Sequence, residues 1–306
     1  MKISTFKANI FLLLAAAIWG FAFVAQKVGS EYLGAFAFNG IRFTLGSLSL
    51  IPLIIYNNKK AKQDNTVHKS KKSVIFAGII AGTILFSAAS LQQLGMTSNS
   101  SGKAAFITGL YIVLVPIFGI FLKQYIKLSG WLGVIVAITG LYFLCIKGSF
   151  SVSKYDIYLL IGAFFWTAHI LVIDYFTKKV DTLKLSCSQF IVCSILSLAC
   201  AFIFEKITMD AVLNAAVPLL YGGFCSVGIA YTLQVIGQKY ARPAPAAIIL
   251  SMETVFASIG GFIILNENLG ARGYLGCALM LTGMLLSQLQ NFSKKDTVVA
   301  NKAIEG

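Results

Sequence analysis

Three ionisable side chains, Arg42, His169 and Glu253, stand inside apolar stretches that are long enough to cross a membrane. A charge at membrane depth is costly, so each is a candidate functional residue. Glu253 lies near the centre of its stretch, where a carboxylate must pair, face water or take up a proton. It could therefore contact a substrate amine or carry a coupling proton, or it could form an internal pair or a helix–helix hydrogen bond.

Arg42 keeps its proton and therefore needs either a partner or a wet cavity. Its guanidinium could recognise a substrate carboxylate through two parallel hydrogen bonds. Because Arg42 lies away from mid-membrane, a structural tie to helix-end carbonyls or to Glu253 is favoured over that role. Histidine titrates near neutral pH, so His169 could move protons or bind substrate, although a single histidine more often serves packing.

Aromatic and neutral polar side chains extend this set of candidates. Trp19 and Trp166 lie about half-way through their apolar stretches, where the aromatic belt at the membrane surface does not explain them. They suit either a pocket for an amphipathic solute or core packing. Further candidates for one substrate site are Gln92, Tyr111, Tyr231 and Gln234.

Ten apolar stretches of about 20 residues position these side chains, and each can cross roughly 30 Å of hydrocarbon. Each must be helical, because lipid offers the backbone no hydrogen-bond partner. The predicted spans are 8–28, 33–56, 74–94, 102–122, 129–147, 155–176, 184–204, 213–235, 243–264 and 270–290. With 58% hydrophobic and 12% charged residues, the chain is predicted to be an all-α membrane protein.

The sequence also repeats itself. The stretch around Trp19 recurs around Trp166, and a second motif recurs near the end of each half. That motif is Trp131-Leu132-Gly133 with Thr139-Gly140-Leu141, followed later by Tyr274-Leu275-Gly276 with Thr282-Gly283-Met284. Two copies of a five-helix unit are therefore predicted.

The predicted units are residues 1–147 and 148–290, and a polar tail, 291–306, follows them. An odd number of spans turns the second unit upside down in the membrane. Inverted repeats of this kind are typical of secondary transporters, whose substrate site lies between the halves near mid-membrane. A central cavity between the two units is therefore expected.

The net charge of +14 is concentrated in the segments between apolar stretches. If the N-terminus is cytoplasmic, eighteen Lys and Arg residues lie inside and six lie outside. This distribution follows the positive-inside rule and predicts that both termini are cytoplasmic. The basic loop 57–73 is either a topology determinant or a contact for anionic lipid. Nucleic acid is not expected as a partner, since the basic residues follow the loops.

Catalytic and metal-binding motifs are missing from the sequence. No nucleophile elbow, zinc-protease motif or phosphate-binding loop occurs in a suitable context. The six cysteines and two histidines show no metal-ligand spacing. The sequence therefore predicts no enzyme activity, no cofactor and no metal site.

Four segments carry a resemblance to a known family: Ala17–Lys27, Ile41-Arg42-Phe43, Leu250–Phe256 and Asn266–Leu269. Through them the chain resembles an EamA-type transporter of the drug/metabolite transporter superfamily. The resemblance implies ten helices in two inverted repeats around a central cavity, and export of amino acids or related metabolites. Thr254 stands where the family usually has proline.

These patterns together favour a secondary transporter in a bacterial plasma membrane that exports small metabolites, amino acids first, by alternating access. Protons are the candidate coupling ion, with Glu253 preferred over His169 as their carrier. A broad-range drug efflux carrier is one alternative, and it predicts a less polar pocket. A membrane scaffold without transport is another, and it predicts that the central polar groups pair among themselves and leave no cavity.

Overall fold

The computed structural model describes residues 5–63, 71–97, 101–122, 128–145, 153–265 and 270–286. Throughout these ranges the regular structure is helical, with no strand. The helices are α1 (Thr5–Gly29), α2 (Ala35–Gln63), α3 (Lys71–Met96), α4 (Ser101–Gly109), α5 (Tyr111–Phe121), α6 (Leu128–Cys145), α7 (Lys154–Thr177), α8 (Thr182–Phe204), α9 (Met209–Asn214), α10 (Ala216–Leu220), a π-helix (Tyr221–Tyr231), α11 (Thr232–Gln238), α12 (Pro243–Leu250), α13 (Glu253–Leu265) and α14 (Gly270–Leu286).

Seven helical segments in the described ranges are long and apolar enough to cross a membrane, and three shorter apolar helices accompany them. Every predicted span overlaps one of these segments, and the prediction of an all-α membrane protein is confirmed at that level. The predicted loop 57–73 is helical at both ends, since α2 continues to Gln63 and α3 begins at Lys71. Lysine, glutamine and alanine favour helix, so a helix can continue beyond the apolar region. The middle of that loop, the turn Asn266–Leu269 and the tail 291–306 lie outside the described residues.

Two predicted spans are interrupted near the middle. The fourth span changes from α4 to α5 at Leu110, where the Val113 N–H donates to the Leu110 carbonyl at 3.0 Å instead of following the α-helical pattern. Helix α5 then continues through Pro116. The break therefore lies before Pro116, which stands inside α5.

The ninth span changes from α12 to α13 between Leu250 and Glu253. Here the Thr254 N–H donates to the Ser251 carbonyl at 3.1 Å, again a tighter turn than an α-helix. At the other end, Pro243 begins α12, where a proline costs no helical hydrogen bond. Pro243 therefore starts this helix without interrupting it.

The eighth span contains a π-helix, Tyr221–Tyr231, which packs against α1 and α2. Long π-helices are rare, and π-helical turns are frequent at functional sites. The Trp19 indole N–H donates to the Ser226 carbonyl of this helix at 3.2 Å. Glycine allows the close packing on α2, because a Cβ at Gly46 would lie 2.2 Å from the Val227 side chain.

Helices α2 and α8 meet through two position pairs that correspond to each other in the repeats. The Ser194 hydroxyl donates to the Gly40 carbonyl at 3.1 Å, and the Cys187 thiol contacts the Ser47 carbonyl at 3.7 Å. Cys187 follows Gly40 by 147 positions, and Ser194 follows Ser47 by the same number. Trp166 follows Trp19 at this distance too. Exchanging the halves therefore converts one contact into the other.

Helices α6 and α14 show the same reciprocity. A Cβ at Gly140 would lie 2.6 Å from the Gly276 carbonyl oxygen, and a Cβ at Gly283 would lie 2.6 Å from that of Gly133. In the repeated motif, Gly276 and Gly283 take the places of Gly133 and Gly140. The two helices therefore run in opposite directions across a contact that only glycine permits, as is common between membrane helices.

Gly140→Ala is expected to lower the thermal unfolding temperature in detergent. The new methyl group would meet the main chain of α14, which cannot move as a side-chain tip can. Overpacking of this kind costs about 1–3 kcal/mol. Gly162→Ala is the matched control, since its nearest atoms would lie at an ordinary 3.5 Å. Equal unfolding temperatures for both variants would contradict the close α6–α14 contact.

Candidate binding cavity

A cavity lies between the two halves of the chain, and seven of its fourteen lining side chains come from each half. Half of the fourteen are polar or charged, which is unusual for a helical membrane interior. The lining residues are Trp19, Phe23, Gln26, Arg42, Gln92, Thr108, Tyr111, Trp166, Ile170, Ser226, Tyr231, Gln234, Leu250 and Glu253. The free space suits water rather than a whole amino acid, so a larger solute requires the helices to move apart.

The structure brings eight of the nine sequence-predicted site residues to this cavity. They are Trp19, Arg42, Gln92, Tyr111, Trp166, Tyr231, Gln234 and Glu253. They come from both halves, as expected for a site between repeats. The ninth, His169, lies behind the cavity wall.

Glu253 and Tyr111 join the two broken spans at their breaks. Each is the first residue of its second half-helix, α13 and α5, and the Tyr111 hydroxyl donates to Glu253 Oε1 at 3.0 Å. Glu253 is 6% exposed, and no Lys, Arg or His of the described ranges forms an ion pair with it. Its position in the first turn of α13 places the carboxyl group at the favourable end of the helix dipole.

Arg42 is 2% exposed and belongs to α2. Its Nε donates to Asn39 Oδ1 at 2.9 Å, and its guanidinium lies 5.0 Å from the Phe43 ring centre and 5.7 Å from that of Phe38. The tie to Glu253 or to helix-end carbonyls that the sequence favoured does not form within the described residues. The terminal guanidinium nitrogens are therefore available to the cavity that Arg42 lines.

Three lining residues present buried polar atoms without a hydrogen-bond partner in the described part of the chain: Thr108 Oγ1, Trp166 Nε1 and Gln234 Oε1. An unsatisfied buried group costs about 1–3 kcal/mol, so such atoms usually meet water or a ligand. The set contains a donor, an acceptor and a hydroxyl that can be either.

An aromatic wall closes one side of the cavity. The Tyr231 ring meets Trp19 edge-on, with 4.6 Å between ring centres, and lies nearly parallel to Trp166 at 6.2 Å. His169 packs edge-on against Trp166 and Tyr231 from behind, is fully buried, and bonds Gln189 Oε1 through Nε2 at 2.9 Å. His169 therefore supports the wall, and direct contact with a solute is left to the aromatic rings.

Sequence reasoning missed six lining residues: Phe23, Gln26, Thr108, Ile170, Ser226 and Leu250. Gln26 could have been found from the sequence, since it follows Trp19 by two helical turns on the same face. In the structure it accepts a hydrogen bond from Gln92 at 3.2 Å. Thr108 and Ser226 depend on the α4 break and on the π-helix, which the sequence does not reveal. In the described ranges no group of three potential metal ligands occurs.

Comparison with protein families gives two matches on this chain. The EamA-like transporter family model matches residues 6–146 and again residues 153–289. The two matches cover most of the chain and divide it at the boundary between the repeats seen in the sequence.

Individual relatives agree with the family match. An uncharacterized transporter of Archaeoglobus fulgidus is 28% identical over 284 residues, which cover 92% of this chain and 86% of the relative. The uncharacterized transporter YoaV of Bacillus subtilis is 21% identical over 94% of this chain and 99% of its own. A solved structure, described as the crystal structure of a protein, superposes on this chain with a TM-score of 0.77 at 17% identity. The superposition covers 93% of this chain and 97% of the solved chain. That likeness shows a shared fold.

Proposed function

Because the chain belongs to the EamA-like transporter family, we propose that it is a secondary transporter that exports small carboxylate-bearing metabolites, with amino acids as the favoured class. The observation that carries this proposal is the cavity between the halves. Arg42 and Glu253, two buried ionisable groups without an ion-pair partner among the described residues, face it from opposite halves. Buried charges at membrane depth mark substrate or ion paths.

The two charges fit a zwitterionic solute. The free guanidinium nitrogens of Arg42 offer a fork for a carboxylate, and the Glu253 carboxyl group accepts from an ammonium. The aromatic wall of Trp19, Trp166 and Tyr231 then supplies an apolar surface for the rest of the solute. Beyond their bonds to Asn39 and Tyr111, the two groups gain oppositely charged partners when such a solute is bound.

The polar lining argues against the two alternatives. A broad-range drug carrier requires a mainly apolar pocket, whereas half of the lining side chains here are polar. A scaffold without transport requires its central polar groups to pair with one another. The unpartnered atoms of Thr108, Trp166 and Gln234 do not follow that requirement.

We propose ten helices in two inverted units, residues 1–147 and 148–290, for this transporter. The reciprocal contacts between α2 and α8 and between α6 and α14 support a two-fold relation, and the opposite direction of α6 and α14 supports inversion. The breaks in the fourth and ninth spans also correspond to each other. In inverted-repeat transporters the substrate site lies beside interrupted helices.

Alternating access fits the small space within the cavity. A solute larger than water requires the halves to separate on one side, and reversal of that movement releases the solute on the other. We place the protein in a bacterial plasma membrane with both termini cytoplasmic, on the distribution of lysine and arginine. Proton coupling through Glu253 is the proposed source of energy.

A ligand screen on the purified, detergent-solubilised protein tests this function. Amino acids are expected to raise the thermal unfolding temperature, since a ligand at about 100 times its dissociation constant adds about 2.7 kcal/mol to the folded state. Each amino acid that does so is then compared with its amide, which lacks the carboxylate, and with its N-acetyl form, which lacks the ammonium. Both derivatives are expected to lose the shift.

The derivatives separate the two charge contacts. An amide that stabilises the protein as well as the parent amino acid would contradict the role of Arg42. An N-acetyl form that does so would contradict the role of Glu253. No shift from any amino acid, together with a shift from apolar cations, would replace this proposal by drug efflux.

A further inference from the structure

Glu205 connects the end of α8 to the beginning of α2. It is the residue that follows α8, and its two carboxylate oxygens accept from the first-turn amides of α2. Phe36 N–H donates to Oε1 at 2.9 Å, and Ala37 N–H donates to Oε2 at 2.7 Å. The contact joins residues from the two halves of the chain and ties the two helices together at this end.

The local sequence leaves room for this contact. A Cβ at Gly34 would lie 2.1 Å from the Glu205 carboxyl carbon, so only glycine admits the carboxylate at the first turn of α2. Around it Leu33, Ala201 and Leu219 belong to one buried apolar cluster. The charged contact and the cluster therefore lie at the same end of the two helices.

The corresponding end of the other half lacks this device. The repeat offset of 147 positions relates the start of α2 at Ala35 to the start of α8 at Thr182. There the N-cap is Asp181, which accepts from Lys184 N–H at 3.0 Å within its own helix. The counterpart of Glu205 is Asn58, and no hydrogen bond joins it to the described first turn of α8. The first turn of α2 is therefore capped by a residue of the other half, whereas the first turn of α8 is capped by the residue that precedes it.

We propose that Glu205 is a latch that holds α2 and α8 together at the end predicted to face outward, and so favours the form closed on that side. This inference rests on the proposed alternating access. A carboxylate at a helix N-terminus is stabilising, and breaking it is required before the two ends can separate. Because its counterpart is missing at the inner end, the latch shifts the balance between the two closed sides in one direction.

Hydrogen–deuterium exchange on the full-length protein in lipid nanodiscs tests the latch without any substrate. Two variants release it by different means: Glu205→Gln removes the charge, and Gly34→Ala displaces the carboxylate tip. Glu31→Gln is the matched control, since Glu31 is an exposed carboxyl on the same side. Loss of a helix cap predicts exchange that is ~5- to 10-fold faster at the Phe36 and Ala37 amides.

The latch predicts more than this local change. In both releasing variants the outer segments 30–41 and 201–219 should exchange faster together, while the inner segment 232–241 keeps or gains protection. Faster exchange confined to the first turn of α2 would overturn the latch and leave a simple helix cap. Faster exchange at both ends would overturn it in favour of general destabilisation. The ligand screen on the unaltered protein reports on transport independently, so a failed latch and a failed transporter are distinguishable.

Discussion

Glu253→Gln is expected to abolish the proton-driven part of amino-acid uptake into inverted membrane vesicles. Glutamine has the size of glutamate and can accept the Tyr111 hydrogen bond, but it cannot exchange a proton or balance an ammonium group. Removing a hydrogen bond to a charged group costs about 1.5–3 kcal/mol, so binding should also weaken by ~10- to 100-fold. Uptake is measured with and without an imposed pH gradient, using an amino acid that stabilises the unaltered protein.

Two further variants show whether a loss of gradient-driven uptake is specific to the Glu253 carboxyl group. Tyr111→Phe removes the donor to Glu253 Oε1 and keeps the carboxyl group, so gradient-driven uptake should persist with weaker substrate binding. Glu31→Gln changes an exposed carboxyl and should leave both quantities unchanged. If Glu253→Gln keeps its response to the pH gradient, the coupling proton is carried elsewhere.

The part of the site that could be predicted from the sequence consists of residues that are out of place in lipid. Glu253 and Arg42 stood out because charge is costly there. Trp19 and Trp166 stood out because they occupy matching places in two repeats. All four line the cavity. Polarity within an apolar stretch can be read from the local sequence alone, and these side chains avoid lipid in the folded molecule by lining the cavity.

The orientation of side chains around a helix was harder to predict. His169 follows Trp166 by three residues, slightly less than one helical turn. The sequence could not show that His169 would bond Gln189 of α8 and so lie behind the aromatic wall. Local departures from the regular α-helix set the directions of side chains, and the π-helix 221–231 is one such departure. A π-helix directs Ser226 and Tyr231 differently from an α-helix, and its Val227 packs on Gly46, which is distant in the sequence.

The helix breaks were also beyond the sequence. The fourth span contains Pro116, yet it breaks at Leu110, and the ninth span has Thr254 instead of a proline where the α12–α13 break occurs. Both breaks lie where Tyr111 and Glu253 meet across the halves. A contact between distant segments positions these turns, and such a contact is absent from any local pattern.

Arg42→Gln is expected to lower the affinity for amino acids by ~10- to 100-fold without lowering the thermal unfolding temperature. The charge is buried, and no described carboxylate pairs with it, so its removal relieves a desolvation cost instead of breaking an ion pair. Glutamine can still bond Asn39. Arg42→Lys keeps the charge and loses the planar fork, so an intermediate loss of affinity is expected.

Stability and binding together decide between the two roles of Arg42. A structural tie predicts a lower unfolding temperature for Arg42→Gln, because a buried partner charge left unpaired costs about 3–5 kcal/mol. Recognition of a carboxylate predicts an unchanged or higher temperature, together with loss of the difference between an amino acid and its amide. Arg242→Gln, at an exposed arginine before the start of α12, should change neither quantity. A variant that unfolds early yet still distinguishes acid from amide would assign Arg42 to the scaffold and require another cation for the substrate.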